Sequence, residues 1–224
     1  MKLGLIGGLA LGAGIHYYKM IAEEHKRAGK VLSLFLGHAD FQTTRGLIEA
    51  GNRTELAAYL CGLLESCSRA GATIGAVAAA TPHVCLEELR AMSPIPIVDL
   101  PSALNEKLSE GDVLRVSLFG TRLVVESDIF GYLNAATIVK PAARELDDVH
   151  AIYTQLAERG YGTAQQRERL AEIADRLFEQ EQVDAVVLAG TDFCSLYAGE
   201  PPEYRAIDAG QAHIEEIVQR MLAG

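Results

Sequence analysis

Two short segments carry polar side chains directly after apolar runs. In "AVAAATPH" (76–83) the run is followed by Thr81 and His83, and in "AVVLAGTDF" (185–193) it is followed by Thr191 and Asp192. Hydroxyls and backbone N–H groups at the start of a helix suit a carboxylate ligand, while imidazole and carboxylate groups can transfer a proton. The two segments therefore predict a site that binds a small carboxylate and performs acid–base chemistry.

Each of these side chains also has a structural interpretation. His83 is a candidate general base, or it orients the turn in which it lies. Asp192 is a candidate acid or base and could bind a substrate ammonium, but in the first turn of a helix it would offset the helix dipole. Thr81 and Thr191 are predicted to bind the ligand, and each could also cap a helix.

Three further residues are candidates with weaker support. Thr121 in "FGTR" is predicted to contact the ligand through its backbone or hydroxyl. Arg45 in "HADFQTTRG" is placed in a loop after the second strand, where its guanidinium could clamp a carboxylate or remain solvated. Glu126 is a possible acid or base if it faces the site, and otherwise a member of a surface ion pair.

Apolar runs and amphipathic segments alternate along the chain, which indicates βαβ units and a largely parallel sheet. The predicted strands are Lys2 to Ile6, Val31 to Leu36, Thr73 to Ala78, Ile95 to Val98, Val113 to Phe119, Thr137 to Val139, Ala185 to Leu188 and Tyr204 to Ile207. The predicted helices are Ile15 to Ala28, Leu56 to Ala70, Cys85 to Met92, Leu146 to Arg159, Ala164 to Gln180 and His213 to Leu222.

The pattern restarts after Pro101, which predicts two α/β domains. We expect residues 1–100 with 209–224 to form the first domain, since the last helix could cross back to it, and residues 101–208 to form the second. Ligands of open α/β sheets bind beyond the carboxyl ends of strands, where both Thr-containing turns lie.

The composition of the chain limits the kinds of molecule that it is expected to bind. The 224 residues carry a formal net charge of −10, which argues against a nucleic-acid partner, and no apolar run approaches the roughly 20 residues of a membrane span. The chain is therefore expected to be cytoplasmic, with no membrane partner and a small molecule as its ligand. Its four cysteines form no CxxC pair and no metal-finger spacing, so reduced thiols and no metal site are expected.

Several motifs, in order and at suitable spacing, resemble those of the aspartate/glutamate racemase family over essentially the whole chain. "LGLIGGLALGAGIHYY" is similar to the family's Gly-Gly-Met-Gly-Pro opening, although Ala10 and Leu11 replace Gly-Pro. "FGTRLVVES" is similar to its Leu-Gly-Thr stretch. "TPH" matches the end of its Cys-Asn-Thr-Ala-His motif, and "LAGTD" matches its Leu-Gly-Cys-Thr-Glu motif.

The resemblance implies two pseudo-symmetric αβα domains with mostly parallel sheets, a substrate site in the interdomain cleft and no cofactor. It also implies a homodimer, since relatives often dimerise, and a second histidine, His213, near the site. In the family, two thiols flank the α-carbon of an acidic amino acid, one removing a proton and the other returning one to the opposite face.

Both thiols are absent from this chain. By residue-by-residue comparison they fall on Ala79 and Gly190, and Ala80 replaces the asparagine beside the first. Because these side chains supply neither acid nor base, the two-thiol mechanism is excluded at these positions. The loss of two side chains predicts an enlarged site and a ligand bulkier than aspartate. Cys85 and Cys194 lie a few residues further on, where packing is expected and a reactive thiolate is the alternative.

Two functions follow from the resemblance and its departures. The first is cofactor-independent isomerase (racemase) or lyase chemistry on a small amino acid or dicarboxylate, with His83, Asp192 or Glu126 as the reacting groups. In that case Ala79, Ala80 and Gly190 would line the substrate site together with the three threonines and Arg45. The alternative is a noncatalytic protein that binds small carboxylates on the racemase scaffold.

Overall fold

The computed structural model describes residues 1–127, 129–131, 133–197 and 199–223. The chain divides into two compact units, one of residues 1–100 with 213–224 and one of residues 101–212. Within the described ranges, no helix is both long enough and apolar enough to cross a bilayer.

The first unit contains a four-stranded sheet in the order β2-β1-β3-β4, with every pair parallel. Its strands are β1 Leu3–Gly7, β2 Leu34–His38, β3 Ile74–Val77 and β4 Ile97–Val98. Its helices are α1 Leu11–Arg27, α2 Phe41–Glu49, α3 Arg53–Arg69, a 3-10 helix at Thr81–Cys85 and α4 Leu86–Met92.

The alternating direction of the side chains along β1 explains how both faces of this sheet are buried. Successive side chains of a strand point to opposite faces. Leu5 packs in one apolar cluster with Tyr17 of α1 and Ile217 of the last helix, whereas Ile6 packs in another with Leu60 of α3. The C-terminal helix therefore packs on one face of the first sheet.

The second unit repeats the arrangement with the strand order β6-β5-β7-β8, again all parallel. Its strands are β5 Arg115–Phe119, β6 Thr137–Val139, β7 Ala185–Leu188 and β8 Ala206–Asp208. The remaining helices are α5 Leu100–Glu110, α6 Arg122–Glu126, α7 Ala143–Arg159, α8 Ala164–Glu181, α9 Phe193–Leu196 and α10 Ala209–Ala223.

The two units share one topology. In each, one helix follows the first strand and two follow the second. The third strand is followed by the 3-10 helix and α4 in the first unit and by α9 in the second. The third strand always lies between the first and the fourth. The predicted fold class, α/β with two topologically matching parallel sheets, is confirmed.

One predicted loop is a helix. Arg45 lies in α2 rather than in irregular chain, so its predicted setting is wrong. The helix begins where Asp40 accepts hydrogen bonds from the backbone N–H and the hydroxyl of Thr43, each at 2.7 Å. A carboxylate at this capping position satisfies an N–H group that has no partner within the helix.

Candidate active site

In the first unit, the turn after β3 lies beside the end of β1. The Ala78 N–H donates to the Ile6 carbonyl oxygen at 2.9 Å, which extends the pairing of the two strands. Ala79 and Ala80 follow, 9% and 2% exposed, and Ala79 packs within the apolar cluster of α3. This turn therefore presents methyl groups where the resemblance places a thiol and an amide.

His83 lies in the 3-10 helix that follows, and backbone groups engage both of its ring nitrogens. Nδ1 lies 2.9 Å from the Ala79 carbonyl oxygen, so it carries the proton, and Nε2 accepts from the Leu100 N–H at 3.3 Å. Burial lowers the pKa of His83, with the Asp99 carboxylate acting in the opposite direction. The neutral ring holds the turn against the end of β4, which matches the loop-orienting interpretation. A ligand would reach Nε2 only by displacing the Leu100 N–H.

Thr81 is half-buried at the start of the same 3-10 helix. The residue at the N-cap is Ala80, and no side chain caps this helix. The capping interpretation of Thr81 is therefore not realised. Its hydroxyl stays available for a ligand.

In the second unit, the turns after β5 and β7 lie side by side. The Ala189 N–H donates to the Phe119 carbonyl oxygen at 2.7 Å, and a Cβ on Gly120 would lie 3.2 Å from the Ala189 oxygen. Thr121 then begins α6, and its Oγ1 accepts from the Val124 N–H at 3.1 Å. Thr121 is thus a helix cap beside the β7 turn.

Asp192 is buried at this edge, 3% exposed, and forms a pair with a residue that the sequence analysis did not identify. The Tyr153 hydroxyl, from α7, donates to Asp192 Oδ2 at 3.0 Å. Burial raises the pKa of Tyr153 well above its usual range, and the Asp192 carboxylate raises it further. The phenol therefore stays protonated and acts as a hydrogen-bond donor.

Thr191 places a second polar group beside this pair. Its hydroxyl is buried and has no partner of hydrogen-bonding geometry among the described residues, although it is near enough to the Tyr153 hydroxyl to lower that group's pKa. A buried hydroxyl without a partner is costly and uncommon in native proteins. A polar atom of a ligand would satisfy it.

The absence of a side chain at Gly190 does not enlarge the site. A Cβ at this position would lie 2.1 Å from Tyr153 Cε2 and 2.7 Å from Tyr153 Cζ, closer than real Cβ atoms approach other atoms. The Tyr153 ring therefore occupies the space that a side chain at 190 would need. The prediction of extra room at this position is wrong.

Two charged candidates lie in exposed ion pairs. Glu126 accepts from Arg122 at 2.7 Å within α6, and its side chain is 46% exposed. Arg122 also pairs with Asp147. Arg45 donates to Glu49 at 2.7 Å within α2, with both side chains at least half exposed. Each residue thus has the surface setting that the sequence analysis kept as its alternative.

The cysteines near the two turns are poor nucleophiles. Burial raises the pKa of Cys85 and of Cys194 to about 12 in each case. The Cys85 thiol lies 3.2 Å from the Pro82 carbonyl oxygen and is fully buried. Because the thiolate is the reactive form, packing is the role that the structure supports for Cys85, and the raised pKa makes the Cys194 thiol unreactive at neutral pH.

His213 is also buried in the first unit. Its Nε2 donates to the Val98 carbonyl oxygen at 2.8 Å, and its Nδ1 accepts from the Tyr17 hydroxyl at 3.1 Å. Its ring lies edge-on to that of His83, with centroids 6.0 Å apart. His213 therefore packs behind the turn that His83 holds. Across the part of the chain that the structure describes, no group of three His, Cys, Asp or Glu side chains could hold a metal ion.

Comparison with solved structures supports the fold. A Yersinia pestis protein named as a candidate Asp/Glu racemase has a TM-score of 0.85 at 23% identity, over 99% of this chain and 100% of that one. An aspartate racemase homologue from Pyrococcus horikoshii gives 0.79 at 22%, over 100% and 99%. A Picrophilus torridus aspartate racemase gives 0.76 at 17%, over 98% and 94%.

The family is shown by a direct match to a sequence model. The model described as Asp/Glu/Hydantoin racemase matches residues 6–217, which include both candidate turns and nearly all of both units. The chain therefore belongs to the Asp/Glu/Hydantoin racemase family.

Proposed function

We propose that this protein is a cofactor-independent isomerase or lyase that acts on a small amino acid or dicarboxylate without using two thiols. Membership in the racemase family supports racemase-type chemistry. The observation that carries the proposal is the pair of buried polar residues after β7: Asp192 is buried, and the hydroxyl of the adjacent Thr191 has no hydrogen-bond partner among the described residues. Perturbed, buried polar groups at strand ends are common at active sites.

In this proposal Asp192 transfers the proton and Thr191 binds a substrate oxygen. Within the first unit, the half-buried Thr81 hydroxyl after β3 is the candidate group for binding a carboxylate. His83 is the next candidate for proton transfer, provided that its Nε2 exchanges the Leu100 N–H for a substrate. The exposed pairs of Glu126 and Arg45 give these residues little part in the reaction.

A noncatalytic carboxylate-binding protein is the second candidate. It is favoured by Ala79 and Gly190, whose side chains offer no acid or base. It is also favoured by the hydrogen bonds between backbone groups and both ring nitrogens of His83. Such a protein would retain the threonine hydroxyls for binding and would lack a base of suitable geometry.

Proton NMR in heavy water distinguishes the proposed enzyme from the noncatalytic binding protein. Aspartate is the first compound to test, since two of the similar structures are an aspartate racemase and a homologue of one. Glutamate, succinate and malate complete the panel. Loss of the α-proton signal, or formation of a new product, is expected for the parent and should be abolished in Asp192→Asn. Asp175→Asn, at an exposed position of α8, is the matched control and should behave as the parent does.

The outcomes are distinct. Exchange in both variants would remove Asp192 from the mechanism. Silence across the panel with saturation-transfer signals from bound ligand would establish the binding protein instead. Silence without binding would overturn both functions.

The proposal includes a cytoplasmic homodimer. Family resemblance supports the dimer, and the four reduced cysteines fit a reducing compartment. Sedimentation velocity at micromolar concentration measures the mass directly; a chain of 24.1 kDa that sediments as a monomer would contradict the dimer.

A further inference from the structure

Tyr153 differs from an ordinary core aromatic residue in two respects. Its ring edge fills the side-chain space of Gly190, and its hydroxyl donates to the buried Asp192 carboxylate 39 positions further along the chain. It belongs to the apolar cluster of α7, α8 and β7, and its ring lies 5.3 Å from that of Phe193. The same side chain thus packs in the core and contacts the polar group at the end of β7.

The glycine at 190 is explained by this contact. Gly190 is not among the glycines with a positive φ, so backbone conformation does not require it. Glycine is required here because there is no room for a side chain: a Cβ would lie within 2.7 Å of three atoms of the Tyr153 ring. Residues 153 and 190 therefore form a matched pair, one large and one without a side chain.

We propose that Tyr153 is a specificity-determining residue of this site: its ring closes the wall above Gly190, and its hydroxyl restrains Asp192 beside the Thr191 hydroxyl. The inference rests on the proposed function and adds the ligand class. A closed wall admits a compact carboxylic acid and excludes an acid that is branched at the carbon next to its carboxylate group. The Thr191 hydroxyl, which has no hydrogen-bond partner among the described residues, is the donor to the ligand oxygen.

Two probes that differ by two methyl groups test the closed wall. Succinate and 2,2-dimethylsuccinate are titrated calorimetrically into the parent, Tyr153→Phe and Tyr153→Ala. The parent and Tyr153→Phe, which keeps the ring, should prefer succinate. Tyr153→Ala should shift the ratio of the two dissociation constants by about tenfold or more toward the branched probe, since added methyl groups change affinity by this order. Ile152→Ala, a truncation of the preceding residue in the same core, is the control and should leave the ratio unchanged.

A thermal cycle tests the packing without any ligand. Gly190→Ala should lower the Tm of the parent by roughly 3 to 10 °C, because the methyl group collides with the ring. In the Tyr153→Ala background the same change should lower Tm far less. Equal losses in the two backgrounds would show that the ring does not restrict position 190.

The two proposals fail in different ways. If the parent binds succinate but Tyr153→Ala keeps the parent's ratio, Tyr153 does not set specificity, while the proposed function stands. If the parent binds neither the succinate pair nor any member of the NMR panel, the proposed function fails and the specificity role fails with it. The thermal cycle then still decides whether residues 153 and 190 are coupled.

Discussion

The hydroxyls of Thr191 and Ser117 are both buried without hydrogen-bond partners among the described residues, yet they lie in different places. Ser117 is in the middle of β5, paired with Val139 and Val186, whereas Thr191 follows the end of β7. An unpartnered buried hydroxyl costs about 1–3 kcal/mol. Only the one at a strand end can be satisfied by a ligand.

Thr191→Val and Ser117→Ala should therefore distinguish the effect of a buried hydroxyl on protein stability from its effect on ligand binding. Each should leave the free energy of unfolding unchanged or raise it by up to about 1 kcal/mol, because an unsatisfied polar atom is removed. Thr191→Val should weaken succinate binding, and Ser117→Ala should not. Urea unfolding and calorimetric titration measure the two quantities. A loss of stability in Thr191→Val would reveal a native partner for its hydroxyl.

At the residue scale, the sequence predicts Thr191 and Asp192 as site candidates because small and polar residues follow an apolar run there. Tyr153 could not be predicted in the same way. It occupies an apolar position of α7, and its contact with Asp192 depends on how that helix packs on the sheet. Nothing in the local sequence around Gly190 indicates that a ring fills its side-chain space.

At the scale of single elements, Gly62 and Gly160 have open space around them and differ in backbone conformation. Gly62 lies inside α3, and a Cβ there would meet no atom within 4 Å; Gly160 follows α7 with φ +75° and equally open surroundings. Any difference between their alanine variants therefore comes from the backbone.

Gly62→Ala should raise the free energy of unfolding by about 0.5–1 kcal/mol, since alanine is the better helix former. Gly160→Ala should lower it by about 1 kcal/mol, since a left-handed conformation is costly for a residue with a Cβ. Chemical denaturation of both variants with the parent measures the differences. A gain in stability from Gly160→Ala would mean that the turn relaxes to a negative φ.

The elements themselves were predicted well where periodicity is long and poorly where it is short. All eight strands lie within a few residues of their predicted positions, and the long helices α3, α7 and α8 were found. Helix α2 was missed because its nine residues give little periodicity, and Asp40 was not recognised as its cap. The sequence pattern does not predict helix α5, because Pro101 favours a domain boundary there, although proline is tolerated in the first turn of a helix.

At the scale of the whole molecule, the two units repeat one topology but differ in chemistry. The turn after β3 presents alanine methyl groups and is held by a buried neutral histidine, whereas the turn after β7 presents a carboxylate, which accepts from the Tyr153 hydroxyl of α7, and a threonine hydroxyl. Matching sheets therefore do not imply matching roles. Asp192, the first proton-transfer candidate of the proposed function, belongs to the second unit.

The first unit also carries a pH-dependent contribution to the stability of the chain. Burial lowers the pKa of His213 to about 3, with a smaller contribution from the nearby His83, and burial lowers the pKa of His83 as well. In the unfolded chain both imidazoles take up a proton near pH 6.5. The unfolded state therefore binds more protons below this pH, so that stability is present above pH 6.5 and is lost as the pH falls toward 3.

The neutral, buried His213 should cost about 2 kcal/mol of stability at pH 5 relative to pH 7, because the unfolded state is favoured by about 1.4 kcal/mol for each pH unit below 6.5. His213→Gln keeps a polar side chain and cannot titrate, so its free energy of unfolding should fall by about 2 kcal/mol less than that of the parent over this range. Urea unfolding at pH 7, 6 and 5 measures both slopes, and His38→Gln, at an exposed position of β2, is the control for the loss of a surface histidine. Equal slopes in the parent and His213→Gln would mean that His213 is protonated in the folded protein, and that its hydrogen bonds to Tyr17 and Val98 rearrange to accept the charge.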